Sequence, residues 1–103
     1  MNMDKLLKQA QKMQAQMSIA KEDLAKTIIE GEAGGGVVKA KVNGNGEVLS
    51  ISISPEVVNP NDVDMLEDLI LSALKEAFSK SKDVADKSMS SITGGMGRNP
   101  GWI

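Results

Sequence analysis

The first quarter of the chain carries an unbroken helical repeat of apolar residues. They recur at alternating spacings of three and four, which is typical of a narrow apolar seam along one side of a helix. The seam consists of Met3, Leu6, Ala10, Met13, Met17, Ala20 and Leu24. No glycine or proline interrupts this segment, so it predicts one helix from Met3 to about Lys26. Such a helix is about 36 Å long and must overhang any small sheet beside it.

After Lys26 the apolar period changes from that of a helix to that of a strand. Apolar residues alternate with lysines at 38–42 and with serines at 49–54, which is the pattern of half-buried strands. The sequence Asn-Gly-Asn-Gly at 43–46 is a strong hairpin signal, and the glycines at 34–36 indicate a second turn. With an earlier strand at 27–33, these segments predict a three-stranded antiparallel sheet.

A second long helix is predicted after the strands. We expect Asn59 to be its N-cap and Pro60 to lie in its first turn. A broad apolar stripe suited to covering one face of the sheet follows, formed by Val63, Leu66, Leu69, Ile70, Ala73, Leu74, Ala77 and Phe78. The chain is therefore expected to be an α+β protein of order α-β-β-β-α. We predict one domain at 1–92 and a flexible, glycine-rich tail at 93–103.

The composition excludes several classes of function. The chain has no cysteine, and therefore no thiolate nucleophile, and it has no histidine, which is the commonest general base and transition-metal ligand. Its acidic residues are explained by a solvated strand face and a helix start, so we assign no metal and no cofactor. The glycines at 34–36 lack the patterns that bind nucleotide phosphates. Apolar runs are far shorter than the roughly 18 to 20 residues of a membrane span. We expect neither an enzyme nor a secreted or membrane protein.

The length of the first helix predicts a homodimer. Strands of six or seven residues reach about 22 Å, so the outer part of the seam projects beyond the sheet. Its apolar side chains would face water in a monomer, and a small sheet also has two open edges. A second copy in a twofold contact would cover them. The expected dimerisation residues are Met3, Leu6, Ala10, Met13 and Met17.

Lysine is the remaining candidate for binding chemistry. The net charge is -2, which argues against a globally basic nucleic-acid binder, but residues 1–43 hold seven lysines and five acidic residues, a net charge of +2. Three lysines at helical spacing form a stripe away from the seam, and two more share the polar face of the second strand. In a dimer these cations would contact DNA phosphates without reading bases. The candidates are Lys5, Lys8, Lys12, Lys39, Lys41 and Arg98.

Several segments, taken in order, resemble the YbaB/EbfC nucleoid-associated proteins. They are Lys-Gln-Ala-Gln-Lys-Met-Gln at 8–14, Glu-Gly-Glu-Ala-Gly-Gly-Gly-Val-Val-Lys at 30–39, Val-Asn-Gly at 42–44, Ile-Ser-Pro-Glu at 53–56, Asp-Met-Leu-Glu-Asp-Leu at 64–69 and Gly-Gly-Met at 94–96. The resemblance implies a cytoplasmic bacterial homodimer, shaped like tweezers, that binds DNA, alters its conformation and associates with the nucleoid. It also implies roles in nucleoid organisation and gene regulation. It supplies no residue motif for DNA contact, so the lysine assignments rest on helix geometry.

A second interpretation stays open at this stage, that of a dimeric adaptor without direct DNA binding. In that case adaptable methionine side chains would receive a helix of another protein. The residues concerned are Met3, Met13, Met17 and Met89. The two interpretations differ in the expected partner, which is DNA in the first and a protein in the second.

Overall fold

The fold is a three-stranded antiparallel sheet with two long helices. The computed structural model describes residues 2–97, and side chains up to residue 92. Its elements are α1 (Met3–Lys26), β1 (Ile28–Ala33), β2 (Val38–Asn43), β3 (Val48–Ile53) and α2 (Val63–Gly97), with short 3-10 turns at Gly34–Gly36 and Pro55–Val57. The strand order is β1-β2-β3, and both neighbouring pairs are antiparallel. The predicted α-β-β-β-α order and antiparallel sheet are confirmed.

Helix α1 projects from the rest of the molecule, as its length predicts. Asn2 caps its start, because the Asn2 side chain accepts a hydrogen bond from the backbone N–H of Lys5 at 3.2 Å. Only Ala20 and Leu24 of its 24 residues are buried. We call residues 3–19 the arm. Its seam is open to solvent in the single chain, where Met3 is 66% exposed.

Helix α2 covers β1 and β2, and the core lies between them. The core consists of Ile29, Val38, Ala40, Val42, Ala73 and Ala77. Close contact depends on Gly31 of β1, where a Cβ atom would collide with backbone atoms of Ala73 and Ala77. The backbone of α2 therefore rests directly on the sheet.

Two members of the predicted covering stripe do not lie in the core. Val63 is 52% exposed and Phe78 is 40% exposed, so neither covers the sheet as expected. The physical reason is that the apolar stripe extends further around the helix than the side of the helix that one sheet face can contact. Phe78 instead lies on a flank of α2.

The start of α2 also differs from the prediction. Asp62 is the residue whose side chain accepts a hydrogen bond from the first turn, from Met65 N at 3.3 Å. Asn59 caps an earlier turn through Asn61 N at 2.9 Å, and Pro60 belongs to that turn. The expectation that Asn59 caps the helix was wrong, because its side chain bonds the backbone N–H of Asn61, before the helix, and not a residue of the first turn of α2.

The end of α2 lies beyond the predicted boundary. Residues 93–97, which we assigned to the tail, are helical and belong to α2. Glycine costs a helix about 1 kcal/mol relative to alanine but does not forbid it, as proline does. Residues 98–103, with the candidate Arg98, lie outside the described residues, and flexibility of the tail stays a prediction.

Candidate nucleic-acid interface

The lysine stripe of α1 lies on the projecting arm. Lys5, Lys8 and Lys12 are all exposed. At about 1.5 Å of rise per residue, the stripe from Lys5 to Lys12 is roughly 10.5 Å long. Asp4 is the only acidic residue among residues 3–20, so this segment has three positive charges and one negative charge. The arm is therefore a local basic surface on an acidic chain.

The base of the arm is fixed to the hairpin between β2 and β3. The backbone N–H of Gly44 donates to the carbonyl of Leu24 at 2.8 Å, and Asn45 Nδ2 donates to the carbonyl of Lys21 at 3.2 Å. A Cβ atom on Gly44 would lie 2.6 Å from Leu24 Cδ2 and 3.0 Å from the Leu24 carbonyl oxygen, so this approach leaves little room for a larger residue. The hairpin thus supplies hydrogen-bond donors to backbone carbonyls in the last turns of α1, where a helix cannot satisfy all of its own carbonyls.

Asn43 is the centre of this junction. It is 3% exposed, and its Nδ2 donates to the carbonyl of Ala25 at 3.3 Å and to Glu47 Oε1 at 2.6 Å. Its Oδ1 accepts from the backbone N–H groups of Asn45 and Glu47, both at 3.0 Å. Its own carbonyl accepts from Ser81 Oγ of α2 at 2.8 Å. One residue therefore links α1, the hairpin and α2.

The two sheet lysines have acidic neighbours. Lys39 and Lys41 lie on the exposed face of β2, opposite the buried face that α2 covers, as predicted. The strand register places Glu32 directly opposite Lys39 and Glu30 directly opposite Lys41. Directly opposed side chains have Cβ atoms about 4.5 to 5.5 Å apart, close enough for the charges to offset one another. This face is less attractive to phosphates than the sequence suggested.

The acidic cluster lies at the opposite end of the sheet from the arm. The early part of α2 contacts the turn between β1 and β2, since a Cβ on Gly34 would lie 3.0 Å from Leu69 Cδ2. The arm begins at the other hairpin, and a six-residue strand separates the two ends by roughly 20 Å. The cluster consists of Asp62, Asp64, Glu67 and Asp68. Positive and negative charges are therefore segregated along the molecule.

The described residues give no sign of metal chemistry. In residues 2–97 no group of three or more acidic, histidine or cysteine side chains could hold a metal ion. Neither helix, over the same residues, combines the length and apolar character that a membrane crossing requires.

Comparison with known proteins identifies the family. The profile of the YbaB/EbfC DNA-binding family matches residues 1–96. The chain belongs to this family. A nucleoid-associated protein of Chloroflexus aggregans is 53% identical over 96 residues, which cover 93% of this chain and 96% of the relative. A nucleoid-associated protein of Ruminiclostridium cellulolyticum is 51% identical over 102 residues, covering 99% of this chain and 89% of the relative. YbaB/EbfC proteins are thus a DNA-binding family and not an enzyme family.

A solved structure supports the same fold. The crystal structure of the uncharacterized protein HP0035 from Helicobacter pylori superposes with a TM-score of 0.83 and covers 91% of this chain and 99% of that one. At 22% sequence identity the likeness concerns the fold alone. The order of elements is therefore shared well beyond the close relatives of this YbaB/EbfC chain.

Proposed function

We propose that this protein binds DNA as a homodimer in the cytoplasm, on the nucleoid, mainly through phosphate contacts. Lys5, Lys8 and Lys12 of both arms are the contacting residues. The observation that carries the proposal is the position of the lysine stripe, which is exposed on an arm remote from the acidic cluster. Membership of a DNA-binding family supports DNA as the partner.

The dimensions of the stripe suit a phosphate backbone. One strand of DNA carries a phosphate for about every 3.4 Å of helix axis, so a stripe of roughly 10.5 Å faces about three phosphates. Two arms would neutralise about six. Lys39 and Lys41 contribute less because of the opposed glutamates, and a contribution of Arg98 stays a prediction.

A second copy of the chain brings the two stripes together. The seam residues of the arm are available for that contact, since Met3 and Leu6 are 66% and 45% exposed. Exposed apolar surface of this extent is typical of an interaction site. The proposed seam contacts are Met3, Leu6, Ala10, Met13 and Met17. Arms held in pairs can follow the backbone of a duplex and alter its conformation, with consequences for nucleoid organisation and gene regulation.

The salt dependence of binding tests the phosphate contacts. If about six phosphates are neutralised, a plot of log K against log salt should have a slope near -5 by the counterion-release rule. The triple variant Lys5→Gln, Lys8→Gln, Lys12→Gln should lose most of this slope and most of the affinity. A gel-shift or anisotropy titration at several salt concentrations measures both quantities.

The matched control is the double variant Lys39→Gln, Lys41→Gln. It removes exposed lysines from the sheet face, where glutamates oppose them, and should change the slope much less than the triple variant does. A wild-type affinity that does not depend on salt, or a triple variant that binds like the wild type, would reject the assignment to the arm. A chain that forms dimers but binds no DNA at low salt would favour the adaptor interpretation.

A further inference from the structure

Two of the six asparagines in the chain are directly followed by glycine, and both lie in the hairpin between β2 and β3. They are Asn43, before Gly44, and Asn45, before Gly46. An Asn-Gly step is chemically labile, because glycine has no Cβ atom to keep its backbone nitrogen away from the asparagine side chain. The same labile step therefore occurs twice in one hairpin, in two different environments.

The reaction of such a step is deamidation, which needs only water. The backbone nitrogen of the glycine loses its proton and attacks Cγ of the asparagine, so that a new C–N bond closes a cyclic succinimide. The Cγ–Nδ2 bond breaks, and Nδ2 leaves as ammonia with that proton. Water then opens the ring by adding OH to one carbonyl carbon and H to the ring nitrogen. Opening at Cγ gives aspartate, and opening at the other carbonyl gives isoaspartate, in which the main chain runs through Cγ.

The structure protects the Asn43 step at both reacting groups. The Asn43 side chain is 3% exposed, and its amide makes four hydrogen bonds. The attacking nitrogen would be that of Gly44, whose N–H donates to the carbonyl of Leu24 at 2.8 Å. Atoms of Leu24 also lie 2.6 to 3.0 Å from the place that a Cβ on Gly44 would take. Ring closure at Asn43 therefore requires the junction between the hairpin and the arm to open.

The Asn45 step has much less protection. Its side chain is exposed and is held by the hydrogen bond from Nδ2 to the carbonyl of Lys21 at 3.2 Å. The N–H of Gly46 donates to the carbonyl of Asn43 at 3.0 Å. Among the described residues beyond its chain neighbours, no atom lies within 4 Å of the place that a Cβ on Gly46 would take. Ring closure at Asn45 therefore requires only that two hydrogen bonds at the surface open.

We propose that Asn45 is a site of spontaneous deamidation in the folded protein, and that the reaction removes one of the hydrogen bonds that hold the base of the arm. Either product carries a carboxylate in place of the amide, and a carboxylate has no N–H to donate to the Lys21 carbonyl. Isoaspartate also lengthens the turn by one backbone carbon, directly after Gly44, which bonds Leu24. The reaction concerns the single chain and does not rest on the proposed function.

Peptide mapping by tandem mass spectrometry tests the site. The purified full chain is incubated in mildly alkaline buffer, once folded and once in urea, and the loss of amide at each asparagine is followed in time. In urea the two Asn-Gly steps should react at similar rates, which provides an internal reference. In the folded chain Asn45 should react at least about tenfold faster than Asn43, because fewer hydrogen bonds must open before the ring can close. A protease that cleaves before aspartate but not before isoaspartate distinguishes the two products.

The matched control is Asn45→Gln, which keeps an amide at this position but would have to close a larger and less favourable ring. It should lose the reaction at position 45 and keep the reaction of Asn43 in urea. A folded chain in which Asn43 reacts as fast as Asn45 would overturn the proposal. So would an Asn45 that reacts more than about a thousandfold more slowly in the folded chain than in urea, since two surface hydrogen bonds do not give that much protection.

The variant Asn45→Asp measures the effect of the product on the arm. Amide hydrogen exchange at Gly44 and in the last turn of α1 should be about two- to tenfold faster than in the wild type, as the loss of one hydrogen bond there predicts. The control Asn61→Asp adds the same charge in the exposed turn before α2 and should leave these amides unchanged. Wild-type exchange in Asn45→Asp, or equal acceleration in the control, would refute the link between this site and the arm.

Discussion

Replacing Asn43 with alanine should loosen the arm from the body. The variant removes four side-chain hydrogen bonds, which involve the carbonyl of Ala25, the carboxylate of Glu47 and the N–H groups of Asn45 and Glu47. A hydrogen bond contributes about 0.5 to 1.5 kcal/mol net, and groups left without a partner in a buried site cost more. Water can reach part of the turn and replace some of the bonds. We therefore expect a loss of about 2 to 3 kcal/mol of unfolding free energy.

Thermal and urea unfolding followed by circular dichroism measure this loss. For a domain of this size, about 2 to 3 kcal/mol corresponds to a fall in Tm of roughly 10 to 20 °C. Asn45→Ala is the control, because its exposed side chain gives up one bond, to the carbonyl of Lys21. The Asn45→Ala variant should lose less than about 1 kcal/mol of unfolding free energy. An Asn43→Ala variant within about 0.5 kcal/mol of the wild type would refute the reasoning, since it would mean that water replaces all four bonds.

Two further predictions concern α2 and β1. Gly31→Ala should lower the free energy of unfolding, measured in urea, by about 3 kcal/mol or more, because the Cβ atom of the alanine meets backbone atoms of α2 that cannot move aside. Gly35→Ala is the control, because its Cβ has open space and only the left-handed backbone opposes it, so it should lower the free energy of unfolding by about 1 to 2 kcal/mol. Equal losses in the two variants would refute the close contact between Gly31 and α2. Because the hydrogen bond from the Glu32 N–H, and then the contact with Lys80, lower the pKa of Glu76 in the folded state, its contribution to stability is present above its ordinary pKa of 4.5 and is lost as pH falls through the lower folded value. Glu76→Gln should therefore show a smaller loss of Tm below about pH 4.5 than the wild type, and parallel pH profiles would contradict this.

Much of the fold is readable from local patterns. The strict spacing of apolar residues in α1 and the alternation in β2 each reflect burial of one face, and burial is what sets the period. The hairpin at 43–46 follows from asparagine and glycine tolerating turn conformations. These signals lie within a few residues of one another along the chain, so a single sequence contains them.

The boundaries of α2 are not readable in this way. Asn59 and Asp62 are both good N-caps, and only the hydrogen bonds of the structure show that Asn59 bonds Asn61 N while Asp62 bonds Met65 N in the first turn of α2. At the other end, the glycines near residue 94 weaken the helix without fixing where it stops. Local preferences of similar strength leave such positions undecided.

The candidate site is only partly predictable. The lysine stripe follows from helical spacing alone, whereas the placement of Glu30 and Glu32 opposite Lys41 and Lys39 requires the strand register. A signal for it was present, because two glutamates and two lysines are placed symmetrically about the glycine turn at 34–36. The part that Asn43 plays could not be found, since its partners Ala25 and Ser81 are distant in sequence and local turn chemistry already explains an asparagine there.

The difference between the sheet edges shows why the exposure of an edge strand is hard to predict from sequence. Both β1 and β3 are edge strands, and the sequence of neither strand indicates whether its outer backbone groups are bonded by another part of the chain. Closure of β1 comes from Glu76 and Lys80, which lie 44 and 50 residues further along the chain than the groups they bond. Because α2 is displaced toward β1, the same placement that closes one edge leaves β3 and the flank of α2 exposed. The position of α2 on the sheet therefore determines which edge is closed within the chain and which stays open.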